Sequence, residues 1–288
     1  MTGIEDYILL MFLVAILAGI IGSMVGVGGG ILIVPVLTVG FGVPIEYAIG
    51  ASIVSTIATS SASASAYVRD RITNLRIGMF LEIGSVLGSI VGVLTTLYFV
   101  RSGFSWIIFV VFGLSLFFSS YNVLQDARME RAGSSAVNTE PNPLATRLRL
   151  HGEYQDKSLQ RTVPYVATKV PLGLAVMFFA GLLSGLLGVG GGVLKVLGMD
   201  SMMRLPFKVS TTTSNFMIGV TATASTGILY VGGYVNVVLA APVALGVVLG
   251  SLSGAKVLVR SKPASIRVAF IAVMLVLGAE MVYTGLTH

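Results

Sequence analysis

Gly26-Val27-Gly28-Gly29-Gly30 lies inside a long apolar run, and the same five letters return inside another as Gly188-Val189-Gly190-Gly191-Gly192. Three consecutive glycines offer no side chains to pack and have weak helix preference, so a helix that reaches them ends or unwinds. In hydrocarbon, unwound backbone must be buried in protein or line a wet cavity, because lipid cannot satisfy its N–H and C=O groups. The two stretches therefore predict a pair of broken membrane helices that face each other.

Composition supports the membrane setting. Of 288 residues, 55% are hydrophobic and 10% charged, with a mean hydropathy of +0.93; soluble domains carry about 25% charged residues. The 35 glycines suit closely packed transmembrane helices. There is no cysteine, and the two histidines are His151, in a polar segment, and His288, the last residue. No metal site, cofactor or catalytic centre is expected from such a set, and the scarcity of paired carboxylates argues against an intramembrane enzyme. The net charge of +6 comes without a basic helix or an aromatic-interleaved patch, so the basic residues read as topology signals rather than a nucleic-acid surface.

The chain divides into a first transmembrane repeat over 1–124, a polar linker over 125–167 and a second repeat over 168–288. The linker, with charges of both signs, Pro141 and Pro143, reads as mostly irregular with short surface helices. In each half an apolar run leads into the glycines, then a short apolar piece, then a helix rich in Ser and Thr, then two further spans. Gly26 and Gly188 are 162 residues apart (188 − 26), and that offset also carries Pro44 to Pro206, Ser52 to Ser214, Thr59 to Thr221, Asn74 to Asn236 and Gly88 to Gly250. Repeats centred on interrupted helices are a signature of secondary transporters, whose substrate site lies near the midplane where the halves meet.

Charge sets the orientation. The Arg69–Arg76 connector is basic while its repeat partner is uncharged; conversely Lys256, Arg260, Lys262 and Arg267 are basic where the first half offers Arg101 alone. With basic connectors cytoplasmic, the halves are inverted, both termini lie outside and the 125–167 loop lies inside, in the cytoplasmic membrane. Each half then crosses an odd number of times. Five crossings result if the glycines and short helix together act as one, since about five extended residues and nine helical ones reach roughly 30 Å. The expected fold is thus an all-α integral membrane protein of about ten segments in two inverted repeats; eight helices in parallel 4+4 repeats are the alternative.

The duplicated GVGGG, the stretch Thr211-Thr212-Thr213-Ser214-Asn215-Phe216 and the apolar character of both halves resemble the TauE/SafE sulfite exporter family, also called the four-toluene sulfonate uptake permease family. One position departs from the pattern: Pro35 of the first short helix has Leu197 as its partner. The resemblance implies a secondary transporter exporting sulfite or a small organosulfonate by alternating access, driven by the proton motive force. A passive anion channel, or a transporter of another oxyanion or a carboxylate, is the alternative. The partners are a small anion and the lipid bilayer, and a homodimer is left open.

An anion also suits the motif physically, because a helix N-terminus presents unpaired N–H groups and glycines let an oxyanion approach the backbone. The candidate binding residues are Gly28, Gly29, Gly30, Gly190, Gly191 and Gly192 of the breaks, with Ser52, Ser55, Ser214 and Asn215 from the following helices. Asn215 replaces Ile53, a polar-for-apolar change that packing does not require. Lys195, the charge nearest the second break, either balances the substrate or snorkels to the interface. Glu82 is expected to pair with Arg71 or Arg76, with proton coupling as the second reading.

Overall fold

The computed structural model describes residues 4–25, 29–69, 72–131, 143–156, 161–260 and 264–287. The first half comprises α1 (Ile4–Val25), α2 (Gly30–Pro35), α3 (Ile45–Arg69), α4 (Leu75–Arg101) and α5 (Ser105–Arg131). A short helix α6 (Pro143–Arg147) and strands β1 (His151–Asp156) and β2 (Arg161–Val166) follow. The second half is α7 (Val170–Leu187), α8 (Gly192–Leu197), α9 (Phe207–Val231), α10 (Val237–Arg260) and α11 (Ala264–Thr287). Each short helix continues into one π-helical turn, Val36–Gly40 after α2 and Gly198–Met202 after α8. Adding 162 to the bounds of α2, its π turn and α3 gives those of α8, its π turn and α9. The π turn follows Leu197 as it follows Pro35, so the proline is not its cause.

Four of the described helices contain stretches long and apolar enough to cross a bilayer: Asp6–Ser23, Leu75–Arg101, Val170–Leu187 and Val237–Gly254. Shorter apolar stretches span Gly30–Gly40, Ser105–Tyr121 and Met274–Thr287. The hydroxyl-rich α3 and α9 pack against each other, flanked by α10 and α4, so their polar faces are turned to protein rather than lipid. Several of those hydroxyls are satisfied within their own helix: Ser55 donates to Ala51 O (2.7 Å), Thr59 to Ser55 O (2.9 Å) and Ser63 to Thr59 O (2.7 Å). Such back-bonding makes Ser and Thr tolerable inside a membrane protein.

Glycine seams fix the helix directions. Gly84 faces Leu174 O, Gly88 faces Phe178 and Leu182, and Gly92 faces Leu182 and Leu186, so α4 and α7 run parallel. Gly246, Gly250 and Gly254 climb α1 in the same way past Phe12, Ile16 and Ile20, making α10 parallel to α1. Small residues every fourth position let two backbones touch, the usual device for joining membrane helices without a hydrophobic driving force. Along α4 and α9, Asn74 N–H donates to Thr213 Oγ1 (3.1 Å) and Ser85 Oγ lies 3.0 Å from Thr221 Oγ1, so these two also run parallel. Because α7 and α9 both parallel α4, α8 and its glycines must run back between them.

The repeat-equivalent helices pair with opposite sense. Thr56 and Ile218 flank the same glycine, Gly190, while Ser60, one turn further along α3, donates to Asn215 O, one turn back along α9. On the flank, Gly113 lies against Gly278 and Gly285 against Trp106, which sets α5 and α11 antiparallel.

The 143–166 region departs from the mostly irregular reading and from an all-helical fold. The strands β1 and β2 form an antiparallel hairpin with Tyr154 opposite Val163 and Gly152 opposite Tyr165. Tyr154 and Tyr165, with Ala145 and Leu150, pack on Ile72, Ile77, Met203 and Leu205, so the hairpin caps the end of the bundle where α4 starts and the π turn of α8 ends. Asn74 ties the cap down: its Nδ2 donates to Tyr165 Oη (3.0 Å) while its Oδ1 accepts from Ile77 N–H (3.1 Å) at the start of α4. Burial pushes the Tyr165 phenol above its ordinary range, keeping it neutral as a hydrogen-bonding group. A two-stranded hairpin is marginal alone and survives here because one face is buried.

Candidate functional site

The second break is built by glycines that the backbone needs. Gly188 (φ 69°), Gly190 (φ 77°) and Gly191 (φ 64°) occupy the left-handed region, where a side chain is strained. A Cβ on Gly190 would lie 2.5 Å from Ile218 Cγ2 and 2.9 Å from Thr56 Cγ2. Thr56 and Ile218 are repeat partners (218 − 56 = 162), so the second break passes through the middle of the α3–α9 crossing. Gly26, Val27 and Gly28 lie outside the described residues; Gly29 and Gly30 are buried beside Thr59, Thr56 and Ser52.

Ser52 joins the two breaks. Its hydroxyl lies 3.1 Å from Gly30 O and 2.8 Å from Gly188 O, so its single proton is shared between these two carbonyls. Ser214 makes the equivalent bond to Gly192 O at 3.2 Å. In this conformation both serines brace the starts of the short helices, and Ser55 is held by its own helix. Asn215 is fully buried; its Nδ2 donates to Thr211 O (3.2 Å), while its Oδ1 has no hydrogen-bond partner among the described residues. Thr56 Oγ1 and Ser184 Oγ, also next to the glycines, are likewise buried without partners. In α8, the Lys195 N–H donates to Gly191 O (3.1 Å).

Lys195 is fully buried, which rules out snorkelling. Its Nζ donates to Thr221 Oγ1, the Thr221 hydroxyl donates to Glu82 Oε1, and Nζ lies 3.6 Å from Glu82 Oε2. Glu82 therefore takes Lys195 as its ionic partner, correcting the expected pairing with Arg71 or Arg76; Arg76 is exposed and Arg71 lies outside the described residues. The geometric reason is that Glu82 stands on the buried face of α4, toward α9, two turns above the basic connector. Ser85 adds a hydrogen bond to Thr221 Oγ1, and Ser89 donates to Thr221 O (3.3 Å). Thr221 and Thr56 were not singled out from the sequence. The signal available for Thr221 was its match to Thr59 at the 162 offset beside two lone, opposite charges in apolar spans.

Two interrupted helices meeting at the centre of an apolar helical bundle, with a buried ion pair beside them, define a multi-pass membrane protein organised around an internal polar site. The chain belongs to the sulfite exporter TauE/SafE family, whose profile matches residues 11–281. It is 27% identical over 288 residues to the probable membrane transporter protein YunE of Bacillus subtilis, covering 96% of this chain and 98% of that one. The probable membrane transporter protein MJ0441 of Methanocaldococcus jannaschii is 24% identical over 286 residues, covering 94% of each chain. No solved structure is significantly similar to it. Membership of this family makes the protein a membrane transporter.

Proposed function

We propose that the protein moves a small sulfur oxyanion, sulfite or an organosulfonate, across the cytoplasmic membrane by alternating access, with the substrate held where the two breaks meet. Gly190 between Thr56 and Ile218 carries this reading, because it puts an unwound backbone and unpartnered polar atoms at the midpoint of the bundle. Lys195 supplies the positive charge, Asn215, Thr56 and the break amides the hydrogen bonds, and Ser52 and Ser214 hold the breaks open to approach. The family description supports sulfite as substrate and outward movement as direction.

The architecture proposed is an inverted repeat of five crossings per half. Its support is the antiparallel sense of α3 against α9 and of α5 against α11, together with the shared sense of α7 and α9, which makes the break plus α8 a return crossing. The hairpin cap, Arg76, Arg149, Lys169 and Arg204 gather at one end of the bundle. By the positive-inside rule that end is cytoplasmic, which places both termini outside.

Asn215→Ala is expected to lower sulfite flux in proteoliposomes about tenfold, the value of one hydrogen bond to a charged group at roughly 1.5 kcal/mol. Ser214→Ala should lower it by a similar factor, with membrane insertion unchanged in both. Wild-type flux in the two variants would remove the site from the breaks.

A further inference from the structure

We infer that Glu82 is the resident counter-ion of Lys195 and that protonating it hands Lys195 to the substrate anion, so that one proton and one anion bind together. This rests on the anion-transport reading above. The two charges come from opposite halves, Glu82 from α4 and Lys195 from α8, and they meet across Thr221 of α9. Their repeat partners are Ile33 and Ala244, uncharged, while Thr221 matches Thr59. The matching positions thus carry no charge, and the pair stands on one side of the fold without a counterpart on the other.

Electroneutrality decides what the pair can do. Lys195 is fully buried and Glu82 is 5% exposed, and in such surroundings an uncompensated charge is far more costly than a pair. An anion reaching Lys195 while Glu82 is ionised would leave one net negative charge in the interior. The same anion arriving with a proton on Glu82 leaves none. Binding of proton and anion is thus mutually favourable, which is co-transport, whereas exchange requires that each exclude the other.

Thr221 links the two charges. Its hydroxyl accepts from Lys195 Nζ and has one proton to donate, which goes to Glu82 Oε1, with the Met217 carbonyl at 3.1 Å as the other acceptor in reach. Glu82 Oε2 accepts no hydrogen bond among the described residues and is the oxygen open to a proton. When that proton arrives from water, the carboxyl becomes a donor, its ionic hold on Nζ is lost, and the ammonium is free to turn to the anion. The other ionisable groups on the elements around the pair are few: α7 has none, α8 carries Lys195 alone and its π turn Asp200, α9 has Lys208 in its first turn and Tyr230 in its last, and α5 carries Tyr121, Asp126, Arg128, Glu130 and Arg131 toward its end. On α4 itself the others are Arg76, Tyr98 and Arg101, near its two ends.

The sense of coupling follows. Proton and anion move in the same direction, so an inward proton gradient drives uptake, and export runs down the anion's own gradient; this replaces the exchange that proton-driven export would require.

The test uses purified wild-type and Glu82→Gln protein in proteoliposomes with a pH dye inside. The probes are sulfite and methanesulfonate, the latter because its charge does not change across the range. For the wild type, external acid should accelerate methanesulfonate uptake close to tenfold per pH unit while Glu82 is charged, with acidification of the lumen. In Glu82→Gln the neutral amide stands in for the protonated carboxyl, so uptake should lose its dependence on the gradient and the lumen should stay at its starting pH. A Glu82→Gln protein with the wild-type pH response overturns the inference and leaves the transport reading standing. If wild-type protein moves neither anion, the transport reading falls and the inference with it. Should Glu82→Gln fail to assemble, Glu82→Asp carries the test: gradient-driven uptake with a shifted pH midpoint is expected, and an unshifted midpoint overturns the inference.

Discussion

Replacing Lys195 with methionine is expected to abolish anion transport, by a hundredfold or more, and to destabilise the purified protein by about 3–5 kcal/mol, the range for breaking a buried ion pair from one side. In this conformation the side chain is fully buried, and its ammonium is engaged by Thr221 and Glu82. Removing it leaves Glu82 either ionised without a partner or forced to hold a proton. The double variant Lys195→Met/Glu82→Gln separates the two effects. It removes both charges, so thermal stability in detergent should return close to wild type, while transport stays lost because nothing positive remains beside the break. Recovery of transport in the double variant would mean that Lys195 serves only to neutralise Glu82.

A second large effect is expected at the α4–α7 seam. Gly88→Val should prevent the protein from assembling, read as loss of the monodisperse peak after membrane extraction. A Cβ at Gly88 would overlap the Phe178 carbonyl oxygen and lie 2.8 Å from Leu182 N. Overpacking a core costs about 1–3 kcal/mol when side chains can yield; here the obstacle is the backbone of a parallel helix. The seam also carries Gly84, Gly92, Gly181 and Gly185, each facing backbone of the partner helix, so separation at one position opens the others. Leu87→Ala, one residue away but facing outward, should assemble normally.

Much of this fold was readable from the chain, for a physical reason. Duplication writes the same backbone requirements twice, and glycine, proline and cap residues are where backbone geometry leaves its mark. The 162-residue offset that linked Asn74 to Asn236 reappears as two helix starts, with Asn74 Oδ1 accepting from Ile77 N–H and Asn236 Oδ1 from Val238 N–H. Ser52 and Ser214 likewise make the same bond to Gly30 O and Gly192 O.

What duplication does not mark was harder to read. Glu82 and Lys195 lie on different halves with apolar repeat partners, so neither the offset nor any helical period joins them, and Glu82 is nearer in sequence to Arg76 than to its real partner. Ser55 was placed near the anion because hydroxyls crowd α3, yet a serine in a helix can bond its own backbone, and this one does. The hairpin over 151–166 was hidden because its strands are short and mostly polar, and its stability comes from contacts with Ile72, Ile77 and Met203 far along the chain. Gly28 falls outside the described residues, so its part is inferred from its partner Gly190.

The most direct measurement is an anion titration of the purified wild-type protein, followed by calorimetry, with sulfite, sulfate, thiosulfate, sulfoacetate and taurine. Saturable binding of sulfite or a sulfonate is expected, weakened about tenfold by Asn215→Ala and lost in Lys195→Met/Glu82→Gln. Binding of none of the five, or binding of equal strength in all three proteins, would contradict a sulfur-oxyanion site at the paired glycine breaks.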